Sequence, residues 1–355
     1  MKIFQVIPCF VFGGAEIMCE TLLYAQRDAG HEVAAVSLFD YHSPITERIE
    51  NAGIKIYYMG KRPGPDLTMT GKLKRLFAAE RPDAIHVHLN AVKYTVPAAH
   101  KNGIRCVYTV HNLAQRDASG ISREMNRHFF KKKMATPVAL SEKIKISIAE
   151  TYGLRESEIP TIFNGIDLSR CKAKSSYAIG ERTELLHVGR FFPQKNHKGL
   201  IDAFKIIKQA RPEATLRLLG DGSLLEEIKA YAKEQGLEES VIFEGAQADV
   251  YPYLANSDIF MLPSLYEGMP ITLIEAMGSA LPIVATAVGG VPDMLTDGQS
   301  ARLTDCTPEA VAAAALELIG SEELRAKYGR AAKAGAERFS AKIMAERYVE
   351  VYLQK

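Results

Sequence analysis

Pro263–Gly290 reads PSLYEGMPITLIEAMGSALPIVATAVGG, and the chain is organised around it. The five residues before it, Asp258-Ile259-Phe260-Met261-Leu262, form an apolar run of strand length. Gly268-Met269-Pro270 is a turn, and a helix-forming run follows from Ile271. Proline fits the first turn of a helix, where its missing N–H costs nothing. Such a start leaves the N–H groups of Ile271, Thr272 and Leu273 without intrahelical acceptors, a ready site for phosphate. Glu267 falls on the loop at the mouth of that site, and Glu275 falls on the helix about a turn and a half in. Two carboxylates flanking a phosphate site suit a ligand with phosphate in the middle and hydroxyls at both ends. A nucleotide sugar has that layout. Taken alone, a pair of glutamates on a helical stretch is ordinary solvated charge.

The wider pattern is more specific. Pro263-Ser264 precedes the pair, seven residues separate the two glutamates, Glu275-Ala276-Met277-Gly278 follows, and Ala287-Val288-Gly289-Gly290-Val291-Pro292 comes after. This resembles the retaining glycosyltransferases of family four, which have the GT-B fold, and further landmarks extend the resemblance over nearly the whole chain. It implies an α/β protein of two Rossmann-like, doubly wound parallel-sheet domains facing a cleft. Residues 1–165 are expected to form the acceptor-side domain and 166–337 the nucleotide-sugar donor domain. A helix within 338–355 is expected to cross back to the first domain.

Bulk properties agree with this organisation. A chain of 355 residues fits about two domains. At 47% hydrophobic and 24% charged it is ordinary globular protein. The net charge is +2, but residues 1–165 carry +6 and the remainder −4. A basic first half favours an anionic partner or membrane surface, while nothing points to nucleic acid. The five cysteines are scattered and lack metal-ligand spacing, as free thiols in a reducing compartment would be. The start runs straight into a strand, and no apolar run is long enough to span a bilayer. A cytoplasmic protein is expected, with possible peripheral contact at the inner face of the membrane.

Residues 2–7 read as a buried strand, then Phe12-Gly13-Gly14 opens a helical pattern to Ala29, and 31–38 is the next strand. Glycine at a strand's C-terminal end lets the backbone approach a ligand closely. The third glycine of a dinucleotide fingerprint is absent, which disfavours a nicotinamide cofactor. Strands at 54–58, 84–87, 105–110 and 136–140 alternate with helices, so a parallel sheet is expected, with ligands at the strands' carboxyl ends. His111 follows one such end. His86 and His88 read as strand-end residues. Arg123–Lys133, REMNRHFFKKK, joins five basic residues to Met125, Phe129 and Phe130. It reads either as an amphipathic helix lying on an anionic membrane or as a charged face whose phenylalanines pack inward. Asn164-Gly165 is a turn between domains, and the polar stretch 169–183 reads as a linker.

In the second half, Leu185-Leu186-His187-Val188-Gly189-Arg190 reads as a strand, and Arg190 and Lys195 lie in a loop before a helix at 197–209. An arginine fork and a lysine point charge there can hold a diphosphate. Strands at 214–219 and 241–243 and helices at 308–319, 322–336 and 341–353 complete the pattern.

The resemblance assigns roles. It puts Gly13 and Gly14 near donor phosphate and acceptor, and His111 near the transferred sugar. Arg190 and Lys195, with the turn Gly268-Met269-Pro270 and the amides of Ile271, Thr272 and Leu273, fall to the diphosphate. Glu267 is assigned to the sugar hydroxyls and Glu275 to the ribose. The catalytic candidates are therefore Glu267, His111, Arg190 and Lys195, and neither a cofactor nor a metal is expected. The partners implied are a nucleotide-sugar donor, with UDP favoured, and a glycan or lipid-linked acceptor. A nucleotide-sugar epimerase of the same fold and a non-catalytic partner subunit are the competing readings.

Overall fold

Apolar runs alternating with amphipathic helices build two six-stranded parallel sheets. The computed structural model describes residues 1–11 and 13–354; Phe12, in the first glycine loop, lies outside them. The chain divides into one unit of Met1–Ile166 with Phe339–Lys355 and a second of Asp167–Arg338.

In the first unit the strands are β1 (Lys2–Ile7), β2 (Glu32–Ser37), β3 (Lys55–Tyr58), β4 (Ala84–His88), β5 (Arg105–Val110) and β6 (Thr136–Ala139). They lie in the order β3-β2-β1-β4-β5-β6. In the second unit β7 (Glu184–Val188), β8 (Thr215–Leu219), β9 (Val241–Gly245), β10 (Ile259–Leu262), β11 (Ile283–Thr286) and β12 (Arg302–Thr304) lie in the order β12-β11-β10-β7-β8-β9. In both sheets the order reverses beside a central strand, which is the doubly wound arrangement that opens a crevice at the carboxyl ends. Strand β10 is apolar on both faces because helices cover both; Ile259, Phe260 and Met261 are fully buried.

The expected strands and main helices are present, with ends shifted by at most three residues. Two helices of eight or more residues were not anticipated. Pro44–Asn51 is started by Ser43, whose side chain accepts from the Thr46 N–H in a capping box, with Pro44 in the first turn. Leu225–Glu234 follows the Gly220-Asp221-Gly222 loop. β12 has three residues and pairs with β11 alone, too little sequence for periodicity to reveal.

The polar stretch 169–183 is not a loose tether. Tyr177 is 5% exposed, donates to the Ala280 carbonyl, and lies where a β-carbon on Gly329 would be 2.6 Å from its hydroxyl. The Lys174 N–H donates to the Ser279 carbonyl. Composition flagged a linker because serines and lysines dominate it, but one aromatic side chain fastens it to the second unit.

The helix Ala341–Leu353 packs in the first unit, against the helix Gly14–Asp28 and β5. Its entry is a parallel bridge between Ile166 and Ser340, and Gly165 lies so close to the Ser340 backbone that a β-carbon would be 2.6 Å from its carbonyl oxygen.

Candidate active site

The carboxyl edge of the second sheet is built by loops that touch through their backbones. Gly289, at φ 59°, crosses Glu267 so closely that a β-carbon would lie 1.7 Å from the Glu267 carbonyl oxygen. The Gly290 N–H then donates to the Gly268 carbonyl. Gly220, at φ 142°, does the same over Gly189, where a β-carbon would be 2.0 Å from the carbonyl oxygen. The Phe191 N–H is received by the Asp221 carbonyl. Glycine supplies both the positive φ and the missing side chain.

Within this frame Glu267 is 5% exposed and its carboxylate is fully engaged. Oε1 accepts from Lys195 Nζ at 2.6 Å and from the Ser264 hydroxyl at 2.6 Å; Oε2 accepts from Gln194 Nε2 at 3.1 Å. Each donor comes from a position the chain fixes. Asn196, left-handed at φ 55°, caps the helix His197–Ala210 by accepting from the Gly199 N–H, and its amide donates to the Pro263 carbonyl at 3.1 Å. The Leu265 N–H donates to the Gln194 carbonyl. The Lys195 loop and the Glu267 loop are therefore stitched together on both sides of the ion pair.

Arg190 is exposed, its guanidinium 5.0 Å from the Phe192 ring centroid, and it makes no ion pair among the described residues. Of the two cations assigned to a diphosphate, one is open to solvent and the other holds a buried carboxylate.

The helix begins one residue later than expected. Pro270 is its N-cap, in an extended conformation at φ −72° and ψ 119°, and the helix is Ile271–Gly278. Leu273 is removed from the set of free donors, because its N–H donates to the Pro270 carbonyl at 3.2 Å. A tight first turn consumes that amide and leaves those of Ile271 and Thr272 as the open pair. Met269 and Pro270 are buried with Gly268 behind the turn.

Glu275 is half-buried on this helix and faces a different group. Burial pushes its carboxyl up from the ordinary 4.5 to about 7, against the pull of the Arg170 guanidinium and a hydrogen bond from Tyr251; Asp249 pushes the same way as burial. Arg170 stacks on Tyr251, 4.5 Å from the ring centroid, and pairs with Asp249 at 3.5 Å.

In the first unit, Gly13 is extended at φ −170° and Gly14 opens the helix Gly14–Asp28. A β-carbon on Gly14 would meet nothing within 4 Å, so the fold itself does not require glycine there. His111 follows β5, its backbone N–H donating to Asp117 Oδ1 at 3.3 Å. Burial pushes its imidazole down to about 4, so the ring is neutral.

The Glycosyltransferase Family 4 profile matches residues 12–170, and the Glycosyl transferases group 1 profile matches residues 170–335. The chain is a family-four glycosyltransferase. This glycosyltransferase is 27% identical to N-acetyl-alpha-D-glucosaminyl L-malate synthase of Bacillus anthracis, over 99% of this chain and 97% of that one. It is 29% identical to the UDP-Gal:alpha-D-GlcNAc-diphosphoundecaprenol alpha-1,3-galactosyltransferase of Escherichia coli, over 63% of each. Its fold is that of Anabaena HepE, crystallised with UDP and glucose, at a TM-score of 0.86, 21% identity and 99% coverage of both chains. The GT-B class implied by the resemblance is thereby shown.

Of the expected residues, the glycosyltransferase brings Lys195, Glu267, Gly268, Met269, Pro270, Ile271 and Thr272 together in the second unit. Gln194, Ser264, Tyr251 and Arg170 were missed. Ser264, three residues before Glu267, carried a signal in the Pro-Ser motif; Gln194 and Arg170, in short 3-10 turns, and Tyr251, at the start of a short helix, carried none.

Two outcomes follow from this geometry. Lys195→Met leaves Glu267 buried without its counter-charge and costs about 3 kcal/mol in denaturant unfolding, of which Lys195→Met/Glu267→Gln recovers part. Glu275 binds more protons folded than unfolded between pH 4.5 and about 7, so its contribution to stability falls as pH rises through that window. Glu275→Gln therefore melts higher than the wild type at pH 8 and equally at pH 4.5, read by thermal denaturation.

Proposed function

We propose that the chain is a retaining glycosyltransferase that moves a hexose or N-acetylhexosamine from a UDP-sugar to a glycan or lipid-linked acceptor. The observation that carries this reading is the buried Glu267 carboxylate, tied to Lys195 beside an open helix terminus and a solvent-facing Arg190. The site offers positive charge for a diphosphate and a fixed carboxylate for sugar hydroxyls within one loop cluster. UDP in HepE and the UDP-Gal named for the Escherichia coli relative support uracil as the base.

In this reading the bond between the anomeric carbon and the β-phosphate oxygen breaks, and its electron pair stays on the diphosphate. Arg190, Lys195 and the Ile271 and Thr272 amides bear on that growing charge, as preorganised donors should. The acceptor hydroxyl attacks from the leaving group's own face and gives its proton to a diphosphate oxygen. A covalent route through Glu267 is disfavoured because all three of its hydrogen bonds withdraw electron density and the group is buried. Glu275 accepts from the ribose, His111 hydrogen-bonds the transferred sugar, and Gly13 and Gly14 let the backbone approach the phosphates. No metal is required, since side chains and amides supply the positive charge.

Calorimetry with UDP tests the pair. Glu275→Gln weakens UDP binding, whereas Glu267→Gln leaves it near normal and lowers turnover, because free UDP has no sugar for Glu267 to hold. A reversed result exchanges the two roles. Proton coupling constants of the product are expected to show the donor's anomeric configuration, and an inverted linkage sinks the mechanism. Sugar isomerisation with donor alone marks an epimerase instead.

The acceptor side and the location at the cytoplasmic membrane face belong to the same proposal. Phe129 and Phe130 of the helix Gly120–Lys131 are 5% and 4% exposed, and Phe130 stacks on Tyr108. Arg127 is paired with Glu124 and Arg123 bonds backbone carbonyls. The phenylalanines are thus core, and the surface left for an anionic membrane is Lys131–Lys133 with Ile121, which is 82% exposed. No helix among the described residues is long and apolar enough to cross a membrane. Replacing the three lysines with glutamine should abolish sedimentation with anionic vesicles at low salt; unchanged sedimentation rejects this contact.

A further inference from the structure

The interior of the first unit contains a continuous line of hydrogen bonds that ends on His111. Gln5 on β1, His86 and His88 on β4 and Thr109 on β5 are fully buried on neighbouring strands. His88 Nδ1 is 3.2 Å from His111 Nε2, and His88 Nε2 is 2.9 Å from Gln5 Oε1. Gln5 Nε2 donates to Gln26 Oε1 at 2.8 Å, and Gln26 Nε2 donates to the Tyr352 hydroxyl at 3.1 Å. That hydroxyl is 2.8 Å from His86 Nδ1; His86 Nε2 is 2.7 Å from Thr109 Oγ1, which is 2.7 Å from the Tyr348 hydroxyl.

Each link fixes the next. Gln5 Oε1 is an acceptor, so His88 Nε2 carries a proton. Burial keeps His88 neutral, so its Nδ1 is bare and must accept from His111 Nε2. His111 is neutral too, which leaves its Nδ1 bare. At the far end the Tyr352 hydroxyl accepts from Gln26 and donates to His86 Nδ1. The line has one other self-consistent state, in which both amides turn and every proton moves to the opposite partner. That state would give His111 a protonated Nδ1. The partner of one ring nitrogen thus decides what the other presents.

We infer that Gln5, Gln26, His88 and Tyr352 are positioning residues for the transfer reaction, holding His111 as the Nε2–H tautomer so that its Nδ1 accepts a hydroxyl proton of the transferred sugar. This rests on the role given to His111 above. His111 is then an acceptor and not a donor to the sugar. The helix Ala341–Leu353, through Tyr352, takes part in setting it.

Tyr352→Phe removes the hydroxyl that joins Gln26 to His86 and keeps the ring. Ring-¹⁵N spectra of histidine-labelled protein without substrate read the tautomer directly, whether or not transfer is ever detected. The wild type should show His111 protonated at Nε2 and bare at Nδ1. Tyr352→Phe should give a mixture of tautomers at His111, with kcat lowered about tenfold and KM for the donor little changed. In a His111→Ala background Tyr352→Phe should have no further effect on kcat. Gln5→Met, which cuts the line beside His88, should reproduce the spectral change and stands in should Tyr352→Phe fold poorly. A wild-type His111 protonated at Nδ1 overturns the inference, as does an unchanged His111 spectrum in both variants. A kcat loss that is additive with His111→Ala overturns the positioning role.

Discussion

The Glu267 carboxylate is the group on which the second unit's site depends. A buried charge is stable only when its partner and its hydrogen bonds are held in place. Lys195, Gln194 and Ser264 provide these from two loops, and the Asn196 amide bonds the Pro263 carbonyl to lock those loops together. Removing any one donor leaves the carboxylate undersatisfied, so loop position and ion pair are one property. The consequence for chemistry is preorganisation. Lys195 is already oriented, and a ligand that approaches it meets a cation whose geometry costs nothing further to arrange.

Glycine makes that arrangement possible. At the edge of a parallel sheet the loops must come close enough for backbone to meet backbone, and any β-carbon at Gly220 or Gly289 would sit inside a carbonyl. The two units fix their candidate residues differently. The second uses an ion pair between loops, held by glycine contacts. The first uses a line of neutral hydrogen bonds through the sheet itself, with burial keeping the histidines uncharged.

The βα alternation was legible because core strands and helices impose distinct apolar periods. The Arg190–Lys195 loop and the Glu267–Glu275 spacing were legible because they are compact motifs. The ion pair between Lys195 and Glu267 was not, since the motifs were read as separate ligand contacts and only the folded loops bring them to 2.6 Å. The free amide of Leu273 was misjudged because a one-residue shift of the helix start changes which N–H is spent. His86 and His88 alternate with Ile85 and Val87, a pattern that marks one polar face on a central strand, yet their partners lie on β1, β5 and the helix Ala341–Leu353. Long-range pairing of that kind leaves no local trace. In Arg123–Lys133 the basic residues were visible, but whether the phenylalanines faced in or out depended on Tyr108 and Tyr152.

The first unit is interrupted in sequence by the whole of the second. Its sheet is complete by residue 139, but Tyr348 and Tyr352, which satisfy buried Thr109, His86 and Gln26, come after Arg338. On a ribosome the earlier segment must therefore wait, with polar groups that have no partner, while about 170 residues of another folding unit are made. The second unit is continuous and can close as soon as it emerges. Assembly in this chain thus runs against the direction of synthesis: the part made first is finished last, and a molecule stopped short of residue 348 carries a sheet that water and chaperones can still enter.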